Sequence, residues 1–388
     1  MKTMDRSCFY KPGILIVGFL CLSLISAASG QTRYTVTDLD IPGYSPVAIA
    51  INNSGQVVGW YMDNMEVYHA FLYRNGQVID LGNLGPANDP ANFGASALGI
   101  NNRGQVVGGS YSSNATPNPR TRNPSQQHAF LYSRGQMQDL GIGGDSNYAT
   151  GINNRGQIIG SFFIYDNLPL LDQHAFLYSE GQVIDLGTLG GSEPETEAAG
   201  INDRGQVVGW SNVSKDPYVP LSHAFLYSGG QMIDLGALLF GVTSESAAKC
   251  INNCGQIIGS YNKGCFLYSN GQMIDLGNLG GDYCEANSIN DSGQIVGGCY
   301  ISGNAAYHAF LYSNGQMQDL NNLLEPNSGW IVEVADGINE AGEIVGFGTL
   351  NGGREHALLL TPVSNDPIRR ANFDQRHAVR YQRYAGDE

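Results

Sequence analysis

Apolar residues along this chain fall in short alternating runs, each ended by glycine or asparagine, and the runs recur in a fixed order. In the copy from Ile289 to Leu320 that order is IND-SGQIVG, a variable stretch, then HAFLYSNGQMQDL. Units of this kind begin at Ile51, Ile100, Ile152, Ile201, Ile251, Ile289 and Ile338. Self-similarity at a period of about 50 residues predicts one repeat assembly rather than two or three unrelated domains. Each unit reads as four strands. The first ends in Ile-Asn, and a turn such as Asn52-Asn53-Ser54-Gly55 leads into the second, GQVVG. The third is HAFLYS and the fourth QxIDLG. Several copies join these two through Asn-Gly, as at Asn75-Gly76, Asn270-Gly271 and Asn314-Gly315, the dipeptide that a two-residue hairpin favours.

The seventh unit ends at His356-Ala357-Leu358-Leu359-Leu360 without a DLG strand, whereas YTVTDLD at the N-terminus resembles that strand and lacks a partner of its own. These features predict an all-β fold over residues 31–361: a seven-bladed β-propeller of four-stranded blades, closed by the N-terminal strand completing the last blade. Closure of this kind protects the edges at which an open array would splay or aggregate. Three residues before each Ile stands alanine, from Ala48 to Ala335, and one residue before it stand Ala50, Gly99, Gly151, Gly200, Cys250, Ser288 and Gly337. Strand alternation puts both small positions on one face. A strand bare on one face fits the crowded centre of a radial array, so this strand is expected innermost and DLG outermost.

The combination of INNxGQVVG, HAFLY and DLGxLGG resembles the HAF-repeat family, over nearly everything from Tyr34 to Thr361. The resemblance implies an extracellular repeat protein and brings no established activity or catalytic residues. The fifth copy departs from it, with Gly264-Cys265-Phe266 in place of His-Ala-Phe, and the seventh reads His356-Ala357-Leu358.

Composition adds the address and the excluded partners. Fifty-two glycines with only 14% charged residues suit many short strands and tight turns. Residues 1–30 have the form of a signal peptide: Lys2, Arg6 and Lys11, an apolar run from Ile14 to Ala28, then Ala28-Ser29-Gly30. A secreted protein, extracellular or periplasmic, is expected, with no membrane span after signal removal. Losing three basic residues and one acidic one takes the net charge from −15 to −17. Such a body repels phosphate backbones and anionic lipid, which argues against nucleic acid as partner. Residues 362–388, rich in arginine and poor in apolar residues, are expected to form a polar, disordered tail.

Candidate chemistry is sparse. His69, His128, His174, His223, His308 and His356 occupy one repeat position, and Asp38, Asp80, Asp139, Asp185, Asp234, Asp275 and Asp319 another. Spread over separate blades, the histidines cannot converge on one metal ion, so a structural His–Asp bond between third and fourth strands is expected, with no metal and no cofactor. If Ile289 faces Gln294, then Cys284 faces Cys299, a pairing suited to a disulfide in an exported protein. Of Cys250, Cys254 and Cys265, at least one thiol stays unpaired within the chain.

The first-to-second and third-to-fourth turns share one end of a blade and are short. The second-to-third loops share the other end and vary from four residues, at 260–263, to nineteen, at 109–127. Function concentrates on irregular loops presented by a rigid scaffold. The ligand-binding candidates there, or near the axis, are Trp60, Tyr61, Tyr111, Trp210, Lys249, Tyr261 and Asp336. Two residues before each Ile the repeats disagree most, reading Ile49, Leu98, Thr150, Ala199, Lys249, Asn287 and Asp336. The catalytic and nucleotide-binding motifs G-x-S-x-G, H-E-x-x-H, P-loop and Rossmann are absent from the sequence, as are EF-hand and RTX calcium loops. The expected function is a noncatalytic binding or interaction module, monomeric, taking a glycan or another exported protein on the long-loop face. The alternatives are a carbohydrate-active hydrolase or lyase with acidic residues around the channel, and a structural part of a surface assembly.

Overall fold

A computed structural model describes residues 32–85, 94–112, 126–164, 172–192, 195–216, 221–238, 245–262 and 264–363. The expected signal peptide at 1–30 and the chain beyond residue 363 lie outside them. Among the described residues, twenty-eight strands form seven antiparallel sheets of four, with three short 3-10 turns beside them. The molecule is a seven-bladed β-propeller. Blades one to six run consecutively over 44–80, 95–139, 146–185, 196–234, 246–275 and 280–319. In blade one the strands Tyr44–Ile51, Val57–Met62, Tyr68–Arg74 and Gln77–Asp80 lie side by side in chain order. Blade seven takes Trp330–Ile338, Ile344–Leu350 and Glu355–Val363 from the C-terminal part and its outermost strand, Arg33–Asp38, from the start of the chain. That seam is antiparallel and regular, from Arg33 opposite Val363 to Asp38 opposite Leu358. Each blade's first strand touches the first strands of both neighbours, and the first touches the seventh, so these strands surround the axis.

The core is divided into seven layers between adjacent blades. Phe130 of blade two, for example, packs with Val58, Ala70 and Leu72 of blade one, and Phe71 packs with Val345 and Ala357 of blade seven. The phenylalanine of each HAF triplet, together with Phe266, is fully buried, a burial that contributes about 2 kcal/mol per ring. The glycine closing GQVVG makes room for this ring. A Cβ on Gly59 would lie 1.9 Å from the Val47 carbonyl oxygen and 3.0 Å from the Phe71 ring, and the same position in the other blades is equally closed.

The Ile-Asn turn does more than reverse the chain. Asn52 is buried; its Oδ1 accepts the backbone N–H groups of Ser54 and Gln56 at 3.0 Å, and its Nδ2 donates to Gln56 Oε1 at 2.7 Å and to the Asn101 carbonyl at 3.0 Å. Asn101, Asn153, Asn202, Asn252, Asn290 and Asn339 each donate likewise to the next blade, and Asn339 donates to Asn52. Seven asparagines thus form a closed ring in which both donors and the acceptor oxygen are used, the condition for burying an amide without penalty. A second ring lies beside it: each backbone N–H at the following position donates to the side chain of the next blade, through Asn102, Asn154, Asp203, Asn253, Asp291 and Glu340 and back to Asn53.

One expectation about the inner strand is corrected. The two small positions do not share a face, because a β-bulge separates them: Ala48 stands opposite Gly59 and Ala50 opposite Val58, with Ile49 inserted. Ala48 accordingly packs in the layer with blade seven and Ala50 in the layer with blade two. The same break recurs in every blade. Smallness at the second position is still required, since a Cβ on Gly200 would meet the Cys250 backbone at 2.9 Å.

The histidines tie third to fourth strands. Nδ1 of His69, His128, His174, His223, His308 and His356 lies 2.7–3.0 Å from a carboxylate oxygen of Asp80, Asp139, Asp185, Asp234, Asp319 and Asp38 respectively. The last of these pairs spans the closure seam. Blade five has Gly264 at the histidine position, and there Tyr261 donates its hydroxyl to Asp275 at 3.0 Å. A Cβ on Gly264 would lie 3.1 Å from the Tyr261 ring, so the small residue and the large one are complementary.

Candidate functional site: the axial lumen and the tyrosine cluster of blade six

The bulge inserts one extra residue per blade into the strands that surround the axis, and re-aiming a side chain is a common use of such a residue. Those seven are Ile49, Leu98, Thr150, Ala199, Lys249, Asn287 and Asp336, and none is fully buried. Blades one, two and four contribute apolar groups. Blades five, six and seven contribute an ammonium, an amide and a carboxyl. Lys249 is exposed and, among the described residues, has neither a hydrogen-bond nor an ion-pair partner. Asn287 Nδ2 donates to the Ala335 carbonyl at 3.2 Å and lies 3.5 Å from Asp336 Oδ1. Asp336 Oδ2 is sealed from solvent and has no hydrogen-bond partner. Burial pushes the Asp336 carboxyl up to about 7; the Lys249 charge opposes that shift and the Glu285 charge adds to it.

Glu285 belongs to a group of side chains on the first hairpin of blade six. The Cys284–Cys299 disulfide is present, with the two residues directly opposite and their Cα atoms 4.1 Å apart. It fastens together the strand segments that carry Tyr283, Glu285 and Tyr300. The Tyr283 hydroxyl donates to Glu285 Oε1. Tyr300, 37% exposed, meets Tyr307 edge to face with centroids 5.0 Å apart, and the Tyr307 hydroxyl donates to the Gly298 carbonyl at 3.0 Å. Burial first, and the Glu285 carboxylate second, push the Tyr283 and Tyr307 hydroxyls well above the usual phenol range. Cys265, buried against this hairpin, and Cys250 are free thiols; burial pushes the Cys265 thiol far up, which makes it a poor nucleophile.

The other sequence candidates have different surroundings. Tyr61 is buried and stacks on His69 at 5.0 Å, so it supports the His69–Asp80 bond rather than facing a ligand. Tyr261 replaces the missing histidine of blade five, as described above, and is committed to Asp275. Trp60 is half-buried, edge-on to Tyr68 at 5.1 Å. Tyr111 and Trp210 are half-buried on blades two and four, apart from the blade-six group. Of the seven candidates, Lys249 and Asp336 are linked through charge, and Asp336 also feels Glu285 of the blade-six cluster. Tyr283, Glu285, Tyr300 and Tyr307 were not among the seven. The adjacency of Tyr283, Glu285 and Tyr300 to the paired cysteines was the available signal.

A cavity of about 190 Å³ opens on the axis at the tight-turn end, inside the asparagine rings. Its polar groups already bond to one another around the ring. Among the described residues no group of His, Cys, Asp or Glu side chains is arranged to hold a metal ion, and no helix is long and apolar enough to cross a membrane.

No family model matches the chain, and no curated protein matches it. Among solved structures it is similar to the β-propeller domain of the Trilobed protease from Pyrococcus furiosus, at TM-score 0.50 and 10% identity, covering 71% of this chain and 80% of that one. That propeller has an open velcro topology. The chain is also similar to an acylaminoacyl peptidase from Pyrococcus horikoshii, at TM-score 0.49 and 9% identity over 87% of this chain and 53% of that one, so it spans about half the peptidase. A third similar structure is the Aleuria aurantia lectin in complex with Fucalpha1-6GlcNAc, at TM-score 0.40 and 10% identity over 74% and 94%. At these identities the likeness to the first establishes the β-propeller fold alone.

Proposed function

We propose that the protein is an exported, noncatalytic binding module of the HAF-repeat kind that takes a glycan at Tyr283, Glu285, Tyr300 and Tyr307. The observation carrying this reading is the disulfide behind that cluster: Cys284–Cys299 holds the tyrosine faces and the carboxylate in place before any ligand arrives. Pre-organisation of this kind lowers the ordering cost of binding. Tyrosine rings offer flat apolar faces for sugar rings, and an exposed carboxylate accepts sugar hydroxyls. The signal-like N-terminus and a cross-strand disulfide both support export. A net charge of −15, falling to −17 on loss of residues 1–30, disfavours phosphate backbones and anionic lipid surfaces as partners.

A second reading, a carbohydrate-active hydrolase or lyase, is favoured by one observation. Glycoside hydrolysis uses two carboxyl groups in different protonation states, and Asp336, pushed up to about 7, senses the Glu285 charge. Against it, the unpartnered oxygen of Asp336 has no surface open to a substrate. The test is binding of the purified mature chain to a panel of cell-wall and extracellular polysaccharides with sugar release monitored. Saturable binding without release, lost in Tyr300→Ala, supports the glycan module; release abolished by Glu285→Gln supports the enzyme. Absence of binding across the panel rejects both and turns the search to exported protein partners.

A further inference from the structure

The seven bulged residues hold a second relation. Where their side chain is a donor and not a lysine, it reaches the alanine carbonyl of the next blade's inner strand: Thr150 Oγ1 donates to the Ala198 carbonyl at 2.6 Å, and Asn287 Nδ2 to the Ala335 carbonyl at 3.2 Å. In blade seven the same position is Asp336, and the corresponding carbonyl on the inner strand of blade one is that of Ala48. The inter-blade relation continues from blade seven to blade one. Asn339 bonds Asn52 as Asn290 bonds Asn339, and the position after the bulge, Gly337, faces the Ile49 carbonyl as Gly200 faces that of Lys249. A carboxylate cannot donate. Only the carboxylic acid form fills the role that threonine and asparagine fill elsewhere, and Oδ2 is the sealed, unpartnered atom.

We propose that Asp336 is a protonated donor across the joint between the inner strands of blades seven and one, and that its ionisation loosens this joint, which makes the contact between the last blade and the first sensitive to pH. The surroundings favour the neutral form. Burial is the main cause and the Glu285 carboxylate on the inner strand of blade six adds to it, while Lys249 on that of blade five opposes; together they leave the group at about 7. The inner strand of blade one and the second strand of blade seven, which flank Asp336, carry no Asp, Glu, His, Lys or Arg. A carboxyl raised in the folded state binds its proton more tightly there than in the unfolded chain. The stability it adds is therefore greatest at low pH, falls as pH rises from its unfolded value near 4, and stops falling above about 7. The proposal is independent of the glycan reading.

The experiment compares thermal unfolding of the wild type and Asp336→Asn between pH 5 and pH 8. Asparagine supplies a permanent donor, as Asn287 does. The wild type is expected to lose about 3 °C of melting temperature more than the variant over this range, and the variant to match or exceed it at pH 8. Equal slopes, or a variant less stable than wild type at pH 8, overturn the proposal. Should Asp336→Asn fail to fold, infrared spectroscopy of the wild type decides. A protonated carboxyl band present at pH 6 and gone by pH 8 is expected, and its absence at pH 6 overturns the proposal.

Discussion

The asparagine ring on the axis and the unmatched side chains of blades five to seven belong to the same repeating strands and differ in what is left over. At the tight-turn end each asparagine of the inner ring spends all its bonding capacity on its own turn and the next blade. Elsewhere on blades five to seven, Lys249 lacks a partner, Asp336 keeps a bare oxygen, and Tyr300 and Glu285 stand exposed. Identical positions in every repeat build the scaffold. Positions at which one repeat departs from the others are where polar groups are left unmatched, and unmatched groups beside a rigid hairpin are what a ligand can use.

The comparison breaks most severely at the ring. Asn202→Ala removes the acceptor of Arg204 and Gln206 N–H and the donor to Asn252, leaving buried polar groups bare. A loss of about 4 kcal/mol in chemical denaturation is expected, without selective loss of glycan affinity in the folded fraction. Next, Cys284→Ser with Cys299→Ser frees a loop of sequence separation 15, an expected loss of about 3 kcal/mol that here does weaken glycan binding, since the tyrosine cluster loses its brace. Tyr261→Phe sharpens the picture in blade five. Losing the bond to Asp275 is expected to cost about 1 kcal/mol, and Tyr261→Ser with Gly264→His, the arrangement of Ser110 and His128 in blade two, is expected to restore it in the same denaturation assay.

The smallest effect is a pH dependence in the outer pairs. The bond to Asp139 raises the His128 imidazole, and the bond to His128 lowers the Asp139 carboxyl. The histidine part is fully present below its unfolded value and lost as pH rises through the folded one. The aspartate part is present above its unfolded value and lost as pH falls through the folded one. The pair thus contributes most between about pH 4 and pH 6.5. Because both groups are partly solvated, His128→Gln is expected to cost less than about 1 kcal/mol in that window and still less outside it.

Much of the scaffold was legible in the sequence, and for definite reasons. The orphan strand at Tyr34 and the missing strand after Leu360 fixed the closure, and counting outward from the Asn290–Gly293 turn paired Cys284 with Cys299. The asparagine rings were not legible. Their partners lie a whole repeat away, and a buried asparagine in a turn has the same letter as an exposed one. The bulge was invisible because an inserted residue leaves the apolar pattern unchanged while reversing the face of everything beyond it. Tyr261 looked like an aromatic available for binding, because only the fold brings it over Gly264 to Asp275. The blade-six cluster was signalled only by the neighbours of Cys284 and Cys299, and the pairing that brings Tyr307 to Tyr300 runs across a loop.

The most direct test of the division between scaffold and site is a paired measurement on the Tyr300→Ala, Glu285→Gln double variant: its melting temperature and its affinity for the polysaccharide that the wild type binds. A melting temperature within about 2 °C of wild type, with affinity reduced at least about 10-fold, is the predicted result. An affinity unchanged from wild type in a folded variant would contradict the assignment of blade six as the binding site.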